Sequence, residues 1–194
     1  LKHFYQDIQG WSNFLDLTRL LVLTLPEKGL FVEVGTWKGR SAAFAGVEIL
    51  RHRPSARLIL IDTWQGSDEP AHKADPIIQA GRLFEHCKEN LAPLGRLPEY
   101  IRATSGDAAL TFASESLDVV FLDAAHDYEN VKADLVAWAG KVKPGGYLAG
   151  DDMEWQGVRD AVLEYFEGKG DWSLCLSIGP TGYPAWYANK KARD

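Results

Sequence analysis

The sequence predicts an α/β protein: a mostly parallel, doubly wound, seven-stranded sheet with helices on both faces and an antiparallel hairpin at its C-terminal end. Three observations predict it. Near-continuous apolar runs recur along the chain ("LFVEV", "RLILID", "EYIRA", "LDVVFLD", "YLAGDD"). Strands apolar on both sides are strands buried on both faces. Between them lie stretches with helical spacing of apolar residues, the alternation that builds a parallel sheet. Finally, "WSLCLSI" and "AWYAN" flank "GPTGYP", a hairpin pattern. The 194 residues suit one domain over 1–194, with a helical segment at 1–28.

In order, Ser12 is placed to cap a first helix running to about Leu25, where Pro26 stops it. Phe14, Leu17 and Leu21 give that helix an apolar face. Residues 30–35 form a buried strand ending at glycine. Ala43, Phe44, Val47 and Leu50 mark a helix that ends before Pro54. Residues 57–62 are a second strand, closed by an acid. A longer connection, 63–98, begins polar and becomes helical around 77–91. "EYIRA" is the third strand and "LDVVFLD" the fourth. Val131, Leu135 and Trp138 mark the next helix, "KPGG" a turn, and "YLAGDD" the fifth strand. Val158, Val162 and Phe166 mark a last helix, ended by Gly168.

Lys plus Arg total 21 against 27 Asp plus Glu, a net charge of −6. An acidic chain without a long basic run is unsuited to gripping a phosphate backbone, so no nucleic-acid partner is expected. "RHR" and "KKAR" read as solvated surface. Cys87 and Cys175 are too few for a disulfide framework and read as reduced thiols of a cytoplasmic protein. No apolar run approaches the ~20 residues of a membrane span, and the N-terminus lacks the pattern of a signal peptide. A homodimer is compatible with these features.

Ligands of open α/β sheets bind beyond the carboxyl ends of the strands. Those ends carry Glu33–Gly35, Asp62, Asp107, Asp123 and Asp151–Asp152. "EVGTWKG" brackets a strand-to-helix turn with Gly35 and Gly39. It lacks the G-x-G-x-x-G of a dinucleotide site, because Trp37 stands where the middle glycine would be. Glu33 repels phosphate and favours a cationic group such as an α-amino group. Asp62 is placed to accept two ribose hydroxyls; a turn cap is the bland alternative. If the fourth and fifth strands are neighbours, Asp123, Asp151 and Asp152 repel one another at their ends unless a cation lies between them. All-oxygen ligands suit Mg²⁺, Mn²⁺ or Ca²⁺. The alternative makes Asp152 a helix cap and Asp123 a turn residue. His126 follows Asp123 by three residues, where an imidazole suits a general base.

These stretches resemble something known. "FVEVGTWKGRSA", "LILID", "ATSGDA", "LDVVFLDAAHDY" and "KPGGYLAGDD" occur in order. They are similar to the motifs of class I S-adenosylmethionine-dependent methyltransferases, a Rossmann-like fold. Among these the chain most resembles metal-dependent small-molecule O-methyltransferases of the catechol and macrolide-sugar kinds. The resemblance implies that Glu33, Gly35 and Ser41 hold the methionine end of the cofactor and Asp62 the ribose. Ser105, Gly106 and Asp107 lie beside the adenine. Asp123 falls both at the cofactor and, with Asp151 and Asp152, on the ligand positions for a divalent cation, Mg²⁺ above all. His126 falls on the general base, and a hydroxyl-bearing small molecule is the acceptor. Catechol-type enzymes often carry asparagine where this chain has Asp152, which leans the resemblance toward sugar-modifying relatives.

An NAD-dependent oxidoreductase and a non-catalytic nucleoside-binding module fit the same fold class. The missing middle glycine and Glu33 weigh against the first. A metal-independent methyltransferase, with the acids serving as caps, is the rival within the family. Trp11, Phe14, Trp64, Tyr183 and Trp186 are candidate acceptor-site aromatics, with core packing an equal alternative.

Overall fold

A computed structural model describes residues 1–67, 70–179 and 182–193. A 3-10 turn (Tyr5–Asp7) precedes α1 (Leu15–Thr24), β1 (Leu30–Val34), α2 (Arg40–His52) and β2 (Arg57–Asp62). The long connection holds α3 (Pro70–Lys73), α4 (Pro76–Gln79), α5 (Leu83–Leu91) and a second 3-10 turn (Ala92–Leu94). Then come β3 (Pro98–Arg102), α6 (Ser105–Leu110), β4 (Leu117–Leu122), α7 (Tyr128–Ala139) and β5 (Val142–Gly150). The chain closes with α8 (Gln156–Phe166), β6 (Trp172–Ile178) and β7 (Pro184–Lys190).

The strands form one seven-stranded sheet in the order β3-β2-β1-β4-β5-β7-β6. β1 to β5 pair in parallel, and β7 joins β5 and β6 antiparallel. The strand period of two divides each strand between two cores. Phe31, Leu58, Leu60, Val119 and Phe121 face one core, with α1, α2 and α5. Val32, Val34, Ile59, Ile61 and Val120 face the other, with α6, α7 and α8. Fully buried Trp138 and Trp186 anchor the second core, each burial contributing on the order of 2–3 kcal/mol. From β1 the chain winds outward to β2 and β3, then returns to place β4 on the other side of β1. This reversal makes the β1–β4 boundary the switch point where a crevice opens.

The structure corrects four readings of the sequence. Ser12 does not cap α1: its Oγ accepts from Arg40 Nε at 3.0 Å, and the helix starts behind Phe14. The helix expected around 77–91 is two helices, because Gly81 takes φ +65° between α4 and α5. "KPGG" remains within β5 as a bulge, where partners jump from Leu117–Val142 to Val119–Tyr147. Lys143 Nζ holds that bulge to Asp118 at 2.9 Å, and Gly145 at φ +83° relieves it. Asp107 lies in the first turn of α6 rather than at a strand end. The expected hairpin pairing forms; Pro180 and Thr181 of "GPTGYP" lie outside the described residues, as do Asp68 and Glu69 of the polar connection.

Candidate active site

The β1–α2 turn is built by sequence-specific geometry. Gly35 has φ +92°, and a Cβ there would lie 2.0 Å from the Asp123 carbonyl oxygen, so no side chain fits. Gly39, at φ +89°, starts α2. Between them Trp37 adopts φ +47°, a conformation costly for a non-glycine residue. Glu33 is buried and accepts from Ser41 Oγ at 3.0 Å. Burial pushes its carboxyl up to about 8 against the opposing hydrogen bonds of Ser41 and Thr36, and the charge of Asp62 adds to the rise. A cationic group beside Glu33 would reverse that cost.

Asp62 ends β2, and both its oxygens accept backbone N–H groups. Oδ2 takes Trp37 N–H and Oδ1 takes Trp64 N–H, each at 2.7 Å. Trp64 is also left-handed, at φ +50°. The carboxylate therefore steadies two strained loops. An ionised carboxylate accepts about four hydrogen bonds, so capacity for two hydroxyls remains.

In α6, Ser105 Oγ donates to Asp134 at 2.5 Å and accepts from Trp138 Nε1 at 2.9 Å, which ties α6 to α7. Asp107 takes the Thr104 hydroxyl at 2.7 Å on Oδ2. A Cβ on Gly106 would meet no atom within 4 Å, so that face is open.

Across the switch point stand the acids of β4 and β5. Burial, then Asp152 and Asp151, push the Asp123 carboxyl well above the carboxylate range. Burial and Asp152 push Asp151 up to about 7, and its buried Oδ1 has no hydrogen-bond partner. Asp152, at φ +65°, does not cap α8, whose N-cap is Trp155. Its Oδ2 instead lies 3.0 Å from His126 Nε2, and the imidazole stacks on Trp155 with centroids 5.4 Å apart. Among the described residues no three His, Cys, Asp or Glu side chains stand ready as a metal site. In chemistry the donor set still fits a hard cation: three neighbouring carboxylates, two of them raised by burial and then by neighbouring carboxylate charge, and one orphaned buried oxygen.

One cavity of about 480 Å³ joins the two sides. Gly35 and Ser41 line it together with Asp123, His126, Asp151 and Asp152. Glu33, Asp62, Ser105, Gly106 and Asp107 are not part of this lining. Exposed Trp11 (63%) and Trp155 (54%) add aromatic walls, with Tyr183. Phe14 lines it as well, whereas Trp64 and Trp186 pack in the cores. The sequence reading missed Trp155, and it missed the buried Lys38–Asp75 pair beside Trp37. Residues this far apart in the chain leave no joint signal in a sequence.

The crevice, the glycine turn and the acids together are those of a class I S-adenosylmethionine-dependent methyltransferase fold. The chain belongs to the Methyltransferase domain family, which matches residues 32–153. It is 27% identical over 151 residues to 8-demethyl-8-(2,3-dimethoxy-alpha-L-rhamnosyl)-tetracenomycin-C 4'-O-methyltransferase of Streptomyces olivaceus, covering 71% of this chain and 58% of that one. It is 25% identical over 179 residues to the uncharacterized protein y4gI of Sinorhizobium fredii, covering 92% of this chain. The chain thus spans 58% and 18% of the lengths of these relatives. The O-methyltransferase NovP shares the fold with a TM-score of 0.68 at 22% identity, over 93% of this chain and 80% of that one. So does an O-methyltransferase from Bacillus cereus in complex with SAH, with a TM-score of 0.66 at 18% identity, over 94% and 83%. An rRNA methylase from Streptococcus thermophilus also matches, at 0.64 and 15% identity, over 95% and 99%.

Proposed function

We propose that the chain methylates a hydroxyl of a small molecule, using S-adenosylmethionine. One observation carries the reading: a single cavity has the cofactor-turn residues Gly35 and Ser41 on one side and His126 with the three aspartates on the other. The cofactor supplies a sulfonium methyl group. Glu33, already biased toward a cationic neighbour, receives its α-ammonium with Gly35 and Ser41. Asp62 receives the ribose hydroxyls, and Gly106 leaves space for the adenine, with Ser105 and Asp107 beside it. Asp123 borders both the cofactor and the acceptor.

The His126 imidazole takes the acceptor's hydroxyl proton. Asp152, 3.0 Å away, orients it and stabilises the imidazolium that forms. The oxygen then forms its bond to the methyl carbon as the carbon–sulfur bond breaks, leaving S-adenosylhomocysteine. Asp123, Asp151 and Asp152 would hold a divalent cation, Mg²⁺ first, whose chemistry is to acidify a hydroxyl and neutralise the carboxylates.

The acceptor reading favours a glycosyl hydroxyl. The Streptomyces olivaceus relative is named for methylation at a rhamnosyl 4' position, and Trp11, Trp155 and Tyr183 are suited to stack on a sugar ring. A net charge of −6 and an acidic cavity disfavour nucleic acid. A cytoplasmic location is favoured by two free thiols, and no helix among the described residues is long and apolar enough to cross a membrane.

The test is mass spectrometry of a panel of glycosides, flavonoids and catechols with the cofactor, in Mg²⁺ and in chelator. A mass gain of one methylene unit on a hydroxyl is expected, lost or slowed in chelator. Calorimetry that shows binding to NAD and none to S-adenosylmethionine would sink the proposal.

A further inference from the structure

Lys38 and Asp75 are charged, buried and unused by the chemistry above. Their side chains are 4% and 5% exposed, and they pair with each other. A buried ion pair adds little stability over a packed apolar pair, so what it connects matters more than its strength. The Lys38 ammonium also donates to Gln9 Oε1 at 2.7 Å. Gln9 precedes Gly10 and Trp11, which line the cavity. The Asp75 N–H donates to the carbonyl of His72, another lining residue, at 3.1 Å. Lys38 itself belongs to the β1–α2 turn, with Nζ 4.7 Å from the Trp37 ring centroid. One ammonium therefore joins three separate stretches of chain.

Two of those stretches have little regular structure of their own. Before α1 there is a single 3-10 turn, and α3 and α4 have four residues each. Their rings meet at Trp37, where Trp11 stacks at 5.4 Å and His72 at 5.1 Å. Trp37 is held at φ +47°, which persists only where neighbours impose it.

We infer that Lys38 is a positioning residue: through Asp75 and Gln9 it holds Trp11, Trp37 and His72 together as one wall of the acceptor cavity. Its kinetic consequence rests on the methyl-transfer reading, and its structural consequence does not.

Hydrogen exchange and kinetics on Lys38→Met and Asp75→Asn test it. Asparagine retains an oxygen for the N–H groups of Ile77 and Ile78, so the α4 cap survives. Both variants should exchange faster within 1–14 and 70–80 while the sheet stays protected. Acceptor KM should rise about tenfold or more, as for a lost charged hydrogen bond, with kcat and cofactor affinity little changed. The double variant should be no worse than either single one. If Lys38→Met does not fold, Asp75→Asn decides alone. Unchanged exchange in both segments, or faster exchange spread evenly over the whole sheet, overturns the inference. Should no acceptor be methylated, the exchange result still decides it, so the two readings fail separately.

Discussion

At Asp62 one carboxylate is asked to do two things. It accepts the backbone N–H groups of Trp37 and Trp64 and, on the proposed reading, the ribose hydroxyls. Asp62→Ala should therefore weaken S-adenosylmethionine binding by about 1–3 kcal/mol. Asp62→Asn, which keeps one accepting oxygen, should lose less. Calorimetry checks both, and equal affinities in wild type and alanine variant would remove Asp62 from the site. His126 is expected to separate from it cleanly. His126→Ala should lower kcat by roughly 10²–10⁴ and leave cofactor affinity intact, because Asp152 and Trp155, which it touches, are not among the residues assigned to the cofactor. Unchanged turnover would return His126 to a packing role.

At the scale of elements, two glycines make opposite predictions. Gly35 closes β1 against the end of β4, with φ +92° and backbone 2.0 Å from any Cβ. Gly35→Ala should cost upward of about 3 kcal/mol, since strain and overlap add at one point. Chemical denaturation reads that directly. Gly106 lies within α6 and has open space around it. Gly106→Ala should leave the fold as stable or improve it by about 0.5–1 kcal/mol. If the adenine packs there, the same variant should bind the cofactor more weakly. Improved stability with unchanged affinity would move the adenine elsewhere.

The whole molecule gathers acids whose proton affinity rises on folding. Glu33 goes from 4.5 to about 8 and Asp151 from 3.8 to about 7, and Asp123 moves the same way. Between those values the folded chain binds more protons than the unfolded chain. The contribution of these three acids to stability is thus full below about pH 4 and falls as pH rises toward about 8. Glu48 and Asp75 act oppositely: their carboxyls are held low, by Arg19 and His3 and by Lys38, against burial. Their contribution is lost only as pH falls below about 4. Without cofactor, Tm should decline from pH 5 to pH 8, and Glu33→Gln should flatten that slope. A Tm that climbs over this range would contradict the burial of these acids.

The strands, their mostly parallel pairing and most helices were legible in the sequence, because apolar period and turn residues are local signals, whereas the order of the strands in the sheet was not. The sequence also marked the acids and His126, since chemistry-bearing residues collect where strands end. It misread "KPGG" as a turn and 77–91 as one helix, because neighbouring strand Asp118 and the φ of Gly81 decide those places. Folding in three dimensions sets that Ser12 serves Arg40, that Ser105 is bound to Asp134, and that Asp152 turns to His126 instead of capping α8. The Lys38–Asp75 pair is of the same kind. Each of these contacts joins residues far apart in sequence, or chooses among several partners of equal local merit. Such choices depend on where the folded sheet brings the chain back on itself, and no window of sequence contains that distance.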